Sequence, residues 1–356
     1  MNPLNNINSE LIIDSNVIVD NILYIKRRLK KSANFMAIIK SDAYGHIIED
    51  VVKDIDEIVD GYGVVRIEEA LKVRKQSNKK ILLMQGIYSQ ADYQIARDNN
   101  FDLAVHNNDQ FKIIIENKNF ENLWLKVNTG MNRLGFEVNE FLEIYEKYLY
   151  DKKFVLMSHL AASNDLENPS NHKQISLFRI LSNKMHSNVE MSIANTGCIM
   201  NFPDDTYDWV RCGIGIYGGY FKDNKIKTAM TLRSPIVNLR HLKKGDKVGY
   251  DGRAEALGDM VIATVYMGYA DGLPLQIKDG SEVMINGQKA NVFGRVSMDL
   301  TTIDVTNIND ISLGDWCEFF STNLPVSNIA KSNELISYYF MTSIKPRVKK
   351  VYKRTS

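Results

Sequence analysis

Phe35-Met36-Ala37-Ile38-Ile39-Lys40-Ser41-Asp42-Ala43-Tyr44-Gly45-His46 runs from an apolar stretch through a lysine into a turn. Five apolar residues in a row, two of them β-branched, read as a strand buried on both faces, as in a parallel sheet, and the run stops at the charge. Ala43-Tyr44-Gly45 reads as a short turn, after which Ile47, Ile48, Val51, Val52, Ile55, Ile58 and Val59 recur at helical spacing through Asp60. Strand, lysine, turn and helix make one βα unit. A lysine at the mouth of a buried strand can simply end it by reaching water. Alternatively its amine, desolvated by the strand, loses its proton easily and condenses with a carbonyl.

The same grammar repeats along the chain. Buried strands are expected at 35–40, 61–65, 81–86, 101–106, 123–128, 154–160, 189–195 and 209–217, with helical segments at 67–76, 90–98, 108–117, 140–148 and 173–186. Eight strands separated by helices predict a (β/α)8 TIM-type barrel. The rival, a doubly wound open sheet, lacks a GxGxxG after its first strand. Ahead of the barrel lie a short strand at 10–13 and a helix at 16–32. Beyond Tyr220 strands follow one another with few helices, at 230–239, 248–250, 261–268, 282–285, 290–296, 301–305 and 316–320, with Asn286-Gly287 as a hairpin turn. One helix is expected at 326–340 and a last strand at 347–353. The expected domains are a barrel over 11–222 and a mostly antiparallel β domain over 223–356, with residues 1–10 packing against the second.

Composition limits the function classes. Forty-four Lys and Arg against 43 Asp and Glu leave a net charge of +1, which implies no nucleic-acid or membrane-surface field and points to a small-molecule partner. Cys198, Cys212 and Cys317 are odd in number and far apart, forming neither a disulfide framework nor a zinc pattern, so no metal is expected. No basic-then-apolar leader and no apolar run of membrane length is seen, and the expected location is the cytoplasm.

In a barrel, chemistry gathers where the loops at the C-terminal strand ends converge. Lys40, Arg133, His159, Asn195, Thr196 and Arg211 all fall at or near such ends, so they can share one site. Read as structure alone, Thr129-Gly130 is a turn, Arg133 a surface residue, His159 a satisfied strand-end histidine, and the glycines of 192–197 and 210–215 ordinary turns. Glycine-bearing loops of the seventh and eighth βα units are also where barrels bind phosphate.

IIKSDAYGH resembles the cofactor-lysine motif of the alanine racemases. LWLKVNTGMNRLGF resembles their KxDTGMxR motif, matching at Lys126, Thr129, Gly130, Met131 and Arg133 with Asn128 in the aspartate place. In the β domain, Gly268-Tyr269-Ala270-Asp271-Gly272 and Gly294-Arg295-Val296-Ser297-Met298-Asp299, which alone read as strand ends, match the family's GYADG and GRxSMD. The resemblance spans 11–352 and rests on six motifs in order. It implies that Lys40 carries pyridoxal 5'-phosphate, that Tyr44, Thr196, Gly213 and Ile214 contact its phosphate, and that Asn195 helps bind the cofactor. It implies His159 below the ring, bonded to the arginine, and Arg211 at the ring nitrogen. Arg133 and the Met298 backbone N–H would hold the amino-acid carboxylate, with Asp299 nearby, and Lys126, carbamylated in some members, would orient Arg133.

Racemisation removes a proton from one face of Cα and returns it to the other, so two acid–base groups must flank the substrate. The resemblance implies Lys40 and Tyr269, with the tyrosine supplied by the other subunit of a head-to-tail homodimer. The activity implied is interconversion of L- and D-alanine, for peptidoglycan supply or alanine breakdown. Rivals are a racemase preferring serine, a decarboxylase of the same barrel class, which would carry an acid rather than Arg211 at the ring nitrogen, and a cofactor-binding regulatory protein without a second domain. Ile47, Tyr339 and Pro346 depart from the family pattern; Pro346 stands where many members have a tyrosine on the phosphate, implying one hydroxyl fewer there.

Overall fold

β1 (Glu10–Asp14) and α1 (Ser15–Lys26) open the computed structural model, which describes residues 7–354. The chain divides into two compact units, one spanning Ile22–Ile216 and the other combining the chain up to Asn21 with the chain from Tyr217 onward.

The first unit strings together β2 (Asn34–Ile38), α2 (Ile48–Ile55), β3 (Gly61–Val64), α3 (Ile67–Arg74), β4 (Lys80–Leu83), α4 (Gln90–Asp98), β5 (Asp102–Val105), α5 (Asn108–Glu116) and β6 (Leu123–Lys126). It continues through α6 (Val138–Ile144), β7 (Val155–Met157), α7 (Pro169–Ser182), β8 (Glu190–Ser192), α8 (Thr196–Asn201) and β9 (Trp209–Cys212). The eight strands form one parallel sheet in the order β8-β7-β6-β5-β4-β3-β2-β9, so first and last strands pair, Phe35 opposite Val210. Between β8 and β9 there is no ladder, but Asp208 N donates to Met191 O at 3.2 Å and Arg211 N to Ala194 O at 2.9 Å. The barrel is nearly closed. Its strands are buried almost throughout, Phe35, Ala37, Leu82, Ala104 and Leu125 being wholly inaccessible, which is the burial on both faces that continuous apolar runs require. Each strand is shorter than expected at its C-terminal end, because those residues leave the ladder to form the mouth; Lys40 lies two residues past β2.

The other unit contains β10 (Met230–Leu242), a small pair β11 (Lys247–Val248) and β12 (Ala254–Glu255), then β13 (Met260–Val265), β14 (Glu282–Ile285), β15 (Gln288–Val292), β16 (Thr301–Asp304) and β17 (Trp316–Phe320). It ends with α9 (Val326–Ser332), α10 (Ser337–Ser343) and β18 (Lys349–Lys353). The long β10 pairs with β1, β13 and β17, all antiparallel. Asn286-Gly287 turns β14 into β15 with both residues at positive φ, the geometry that favours this dipeptide.

Two expectations change. β1 does not belong with the barrel domain drawn at 11–222: it lies between β10 and the parallel β18, with Leu11 and Ile13 wholly buried, so both its edges are paired inside the β unit. The single helix at 326–340 is two. Asn333 breaks it by turning its side chain inward, its Oδ1 accepting from Lys278 N at 2.7 Å and Ser281 Oγ at 3.1 Å, and Glu334 follows at φ 57°.

Candidate active site

At the barrel mouth Ile39 N still bonds Gly63 O at 2.9 Å, but the chain from Ser41 to Tyr44 winds left-handed, with φ between 53° and 55° at four consecutive non-glycine residues. Each such residue costs about 1–2 kcal/mol. Local bonds hold the turn: Ala43 N to Ile39 O at 2.8 Å, Gly45 N to Ser41 O at 2.9 Å, and Ile48 N to Asp42 Oδ1 at 3.0 Å. Backbone strain of this kind survives where the surroundings over-determine it, commonly at functional sites. Lys40 is partly buried at its start. Burial and the charge of Arg133 lower the pKa of its amine, while Glu69 opposes them.

Arg211, on β9 and 2% exposed, is the hub. Its Nη1 bonds Ser192 Oγ; its Nη2 donates to Ser158 O at 2.5 Å and faces His159 Nδ1 at 3.3 Å; its Nε is buried without a hydrogen-bond partner. Burial brings its pKa down to about 10, so it remains a cation at neutral pH. His159, two residues past β7, is pushed well below the usual histidine range, by burial first and then by Arg211, Lys126, Arg133 and Lys40. Lys126, the last residue of β6 and 5% exposed, is brought down to about 8 by burial and by Arg211, Arg133 and Lys40.

Asn195 is the N-cap of α8. Its Oδ1 accepts from Cys198 N at 3.0 Å and Ser163 Oγ at 2.6 Å, which turns its Nδ2 toward His159 Nε2 at 3.4 Å. Thr196 Oγ1 accepts from Gly213 N at 3.2 Å and Gly215 N at 3.3 Å, tying the last two loops together. A Cβ at Gly213 would stand 2.5 Å from Tyr44 Oη, so only glycine lets the phenol lie there; Ile214 follows directly. Arg133 is exposed on the loop after β6. That loop is shaped by Asn128, whose Oδ1 accepts from Gly130 N and Asn132 N, both at 3.1 Å. The barrel unit therefore gathers Lys40, Lys126, Arg133, His159 and Arg211 closely enough to perturb one another, with Tyr44, Asn195, Thr196, Gly213 and Ile214 on the adjoining loops.

Tyr269, Met298 and Asp299 fall in the β unit, where two turns are knit together: Tyr269 N donates to Ser297 O at 3.0 Å and Ala270 N to Met298 O at 2.9 Å. Gly268 is obligatory, since a Cβ would lie 2.3 Å from Ser297 O. Tyr269 and Met298 are exposed, 39% and 53%. Asp299 pairs with Arg347 Nη2 at 2.8 Å, while Arg347 Nε holds Asp271 at 2.8 Å.

Residues 13–221 match the family model described as alanine racemase, N-terminal domain, and residues 229–352 the one described as alanine racemase, C-terminal domain. The chain belongs to the alanine racemases. An alanine racemase from Alteromonas mediterranea is 34% identical over 333 residues, covering 90% of this chain and 92% of its own. The crystal structure of the biosynthetic alanine racemase from Pseudomonas aeruginosa is similar at 28% identity, with a TM-score of 0.92 over 98% of this chain and 99% of that one. The alanine racemase from Bartonella henselae, crystallised with covalently bound pyridoxal phosphate, is 25% identical, with a TM-score of 0.88 over 97% of this chain and 99% of that one.

Several residues of this racemase site went unread in the sequence. Ser158 and Ser192 supply Arg211 with acceptors, and Gln174 binds both His159 O at 2.9 Å and Thr129 Oγ1 at 3.3 Å. Arg347 and Glu69 were likewise passed over. Serines inside apolar strands, as in LMSHL and MSIAN, were the available signal, because a buried hydroxyl needs a partner. Among the described residues no cluster of His, Cys, Asp or Glu could hold a metal ion, and no helix is long and apolar enough to cross a membrane.

Proposed function

We propose that this chain interconverts L- and D-alanine with pyridoxal 5'-phosphate as its cofactor. The observation that carries the reading is Arg211 Nε, a fully buried donor without a protein partner on a cationic guanidinium already fixed by Ser158, Ser192 and His159. A buried donor is costly to leave unmade, and a ring nitrogen with a lone pair is the acceptor it suits. The Tyr44 hydroxyl, which the missing Cβ of Gly213 admits beside the loop of Thr196 and Ile214, is a donor that suits a phosphate. The residues present fit the group.

Bound through Lys40, the cofactor supplies an electron-withdrawing ring that acidifies the Cα–H of the amino acid. Arg211, always charged, withholds a proton from the ring nitrogen, so acidification stays moderate and side reactions are few. Arg133 and the Met298 N–H hold the substrate carboxylate, the cation chiefly by charge, and Lys126, once carbamylated, exchanges repulsion of Arg133 for attraction and steadies it. Lys40 takes or returns the Cα proton at one face; burial and Arg133 favour its neutral, basic form. Tyr269 serves the opposite face, and Asp299 with Arg347 stiffens the loop carrying Met298. We assign Tyr269 and Met298 to the partner subunit of a head-to-tail homodimer, a role their exposure supports. A cytoplasmic location goes with this reading.

The test is loss of optical rotation of L-alanine and of L-serine, side by side, by the purified holoenzyme. Faster turnover of alanine than of serine, abolished in Lys40→Ala, is expected; faster turnover of serine would overturn the substrate assignment.

A further inference from the structure

Glu69 stands at the third position of α3, where a glutamate commonly reaches back to cap its own helix. Its Oε2 does so, accepting from Arg66 N and Val65 N, both at 3.1 Å. Capping leaves Oε1 unaccounted for. That oxygen leaves the helix and accepts from Ser41 N at 2.6 Å, the first amide of the left-handed turn and the residue directly after Lys40. A single carboxylate thus ties the β3–α3 loop to the strained segment that aims the lysine, and every group bonded to it is a donor.

We propose that Glu69 is the positioning residue of Lys40: its carboxylate locks the left-handed turn and sets a negative charge against an amine otherwise faced by cations. The charged groups that act on Lys40 from neighbouring elements are Arg133 on the loop after β6 and Glu69 on α3, while Lys126 at the end of β6 and His159 after β7 feel the charge of Lys40 in turn. Burial and Arg133 favour the neutral amine, and Glu69 is the group that opposes them. Its function is balance. Lys40 must give up a proton to act as a base and hold one to act as an acid, and Glu69 keeps the second state within reach. The inference rests on the racemase reading for its kinetic arm only.

Two variants separate the brace from the charge. Glu69→Gln loses the charge and keeps one acceptor oxygen, which can serve Ser41 N or the Val65 and Arg66 amides but not both sides; Glu69→Ala loses the charge and both acceptors. In the holoenzyme, the acidic limb of the kcat profile, which reports groups in the enzyme–substrate complex, is expected to move down by about one pH unit in both variants in at least one direction of racemisation. Amide exchange across 40–46, read by mass spectrometry, is expected to quicken at least about tenfold in Glu69→Ala and much less in Glu69→Gln. A Glu69→Gln limb coinciding with wild type in both directions overturns the proposal, whatever the exchange shows. If wild type fails to racemise alanine, the functional reading falls, and the exchange arm still decides: unchanged protection in Glu69→Ala overturns the brace.

Discussion

Nη2 of Arg211 lies 3.3 Å from Nδ1 of His159. A guanidinium has only donors, so Nδ1 must present its lone pair and any ring proton belongs on Nε2. The imidazole is held neutral by that contact, by burial and by three further cations. In the unfolded chain the ring titrates near 6.5, far above its folded value, so below that pH the unfolded state binds more protons. His159 therefore adds stability that is complete above about pH 6.5 and is lost as the medium is acidified. Buried His106 acts with the same sign. Urea midpoints should fall between pH 7 and pH 5, and His159→Asn should flatten that slope by at most about 1.4 kcal/mol per pH unit, the limit for one proton. An unchanged slope would contradict the assignment.

Replacing Arg211 tests the hub. Arg211→Gln leaves Ser158 O, Ser192 Oγ and His159 Nδ1 short of donors in a buried place. Stability should drop by roughly 2–4 kcal/mol in urea unfolding, and kcat for alanine by about 10²-fold or more. A variant that is destabilised yet turns over at the wild-type rate would show that the guanidinium serves the fold alone.

Much of this was legible because burial on both faces leaves a plain mark. All eight barrel strands stand out as apolar runs, and Lys40, His159 and Arg211 stand out as charge or imidazole at their ends. What stayed hidden depends on pairing rather than pattern. Leu11-Ile12-Ile13 reads as a strand, but only its partners Thr231 and Val351 reveal that it completes the β unit. Asn333 looks unremarkable inside a helical period until its side chain is seen serving Lys278 and Ser281. The left-handed run at 41–44 has no glycine before Gly45 to announce it. The roles of Arg133, Tyr269 and Met298 came from motif resemblance, since each is exposed and carries no burial signal.

Lys126 is the residue to probe chemically. With its pKa down at about 8, a large share of the amine is neutral near that pH, and a neutral amine adds carbon dioxide to give a carbamate and a proton. The product replaces a cation by an anion among Arg211, Arg133 and Lys40, which relieves repulsion and gives Arg133 a partner. Protein equilibrated with carbon-13 bicarbonate should show a carbamate resonance that vanishes in Lys126→Gln. The variant should also raise KM for alanine by a few-fold to about tenfold through a loosened Arg133. Absence of the resonance near pH 8 would mean that Lys126 works as the free amine.

The division of labour between two copies can be decided by mixing inactive variants. Lys40→Ala and Tyr269→Phe each remove one of the two proposed proton-transfer groups, so each alone should lose about 10²–10⁴-fold in kcat. If Tyr269 serves its own barrel, a mixture of the two proteins contains only damaged sites and stays inactive. If it serves the partner's barrel, a mixed dimer has one site that lacks both groups and one that has Lys40 from one chain and Tyr269 from the other. Equal amounts, unfolded and refolded together, give half mixed dimers by random pairing, each with one intact site of two, so about a quarter of wild-type activity should return. Recovery should require exchange of subunits, fail when intact homodimers are mixed without unfolding, and be absent altogether if the tyrosine acts within its own chain.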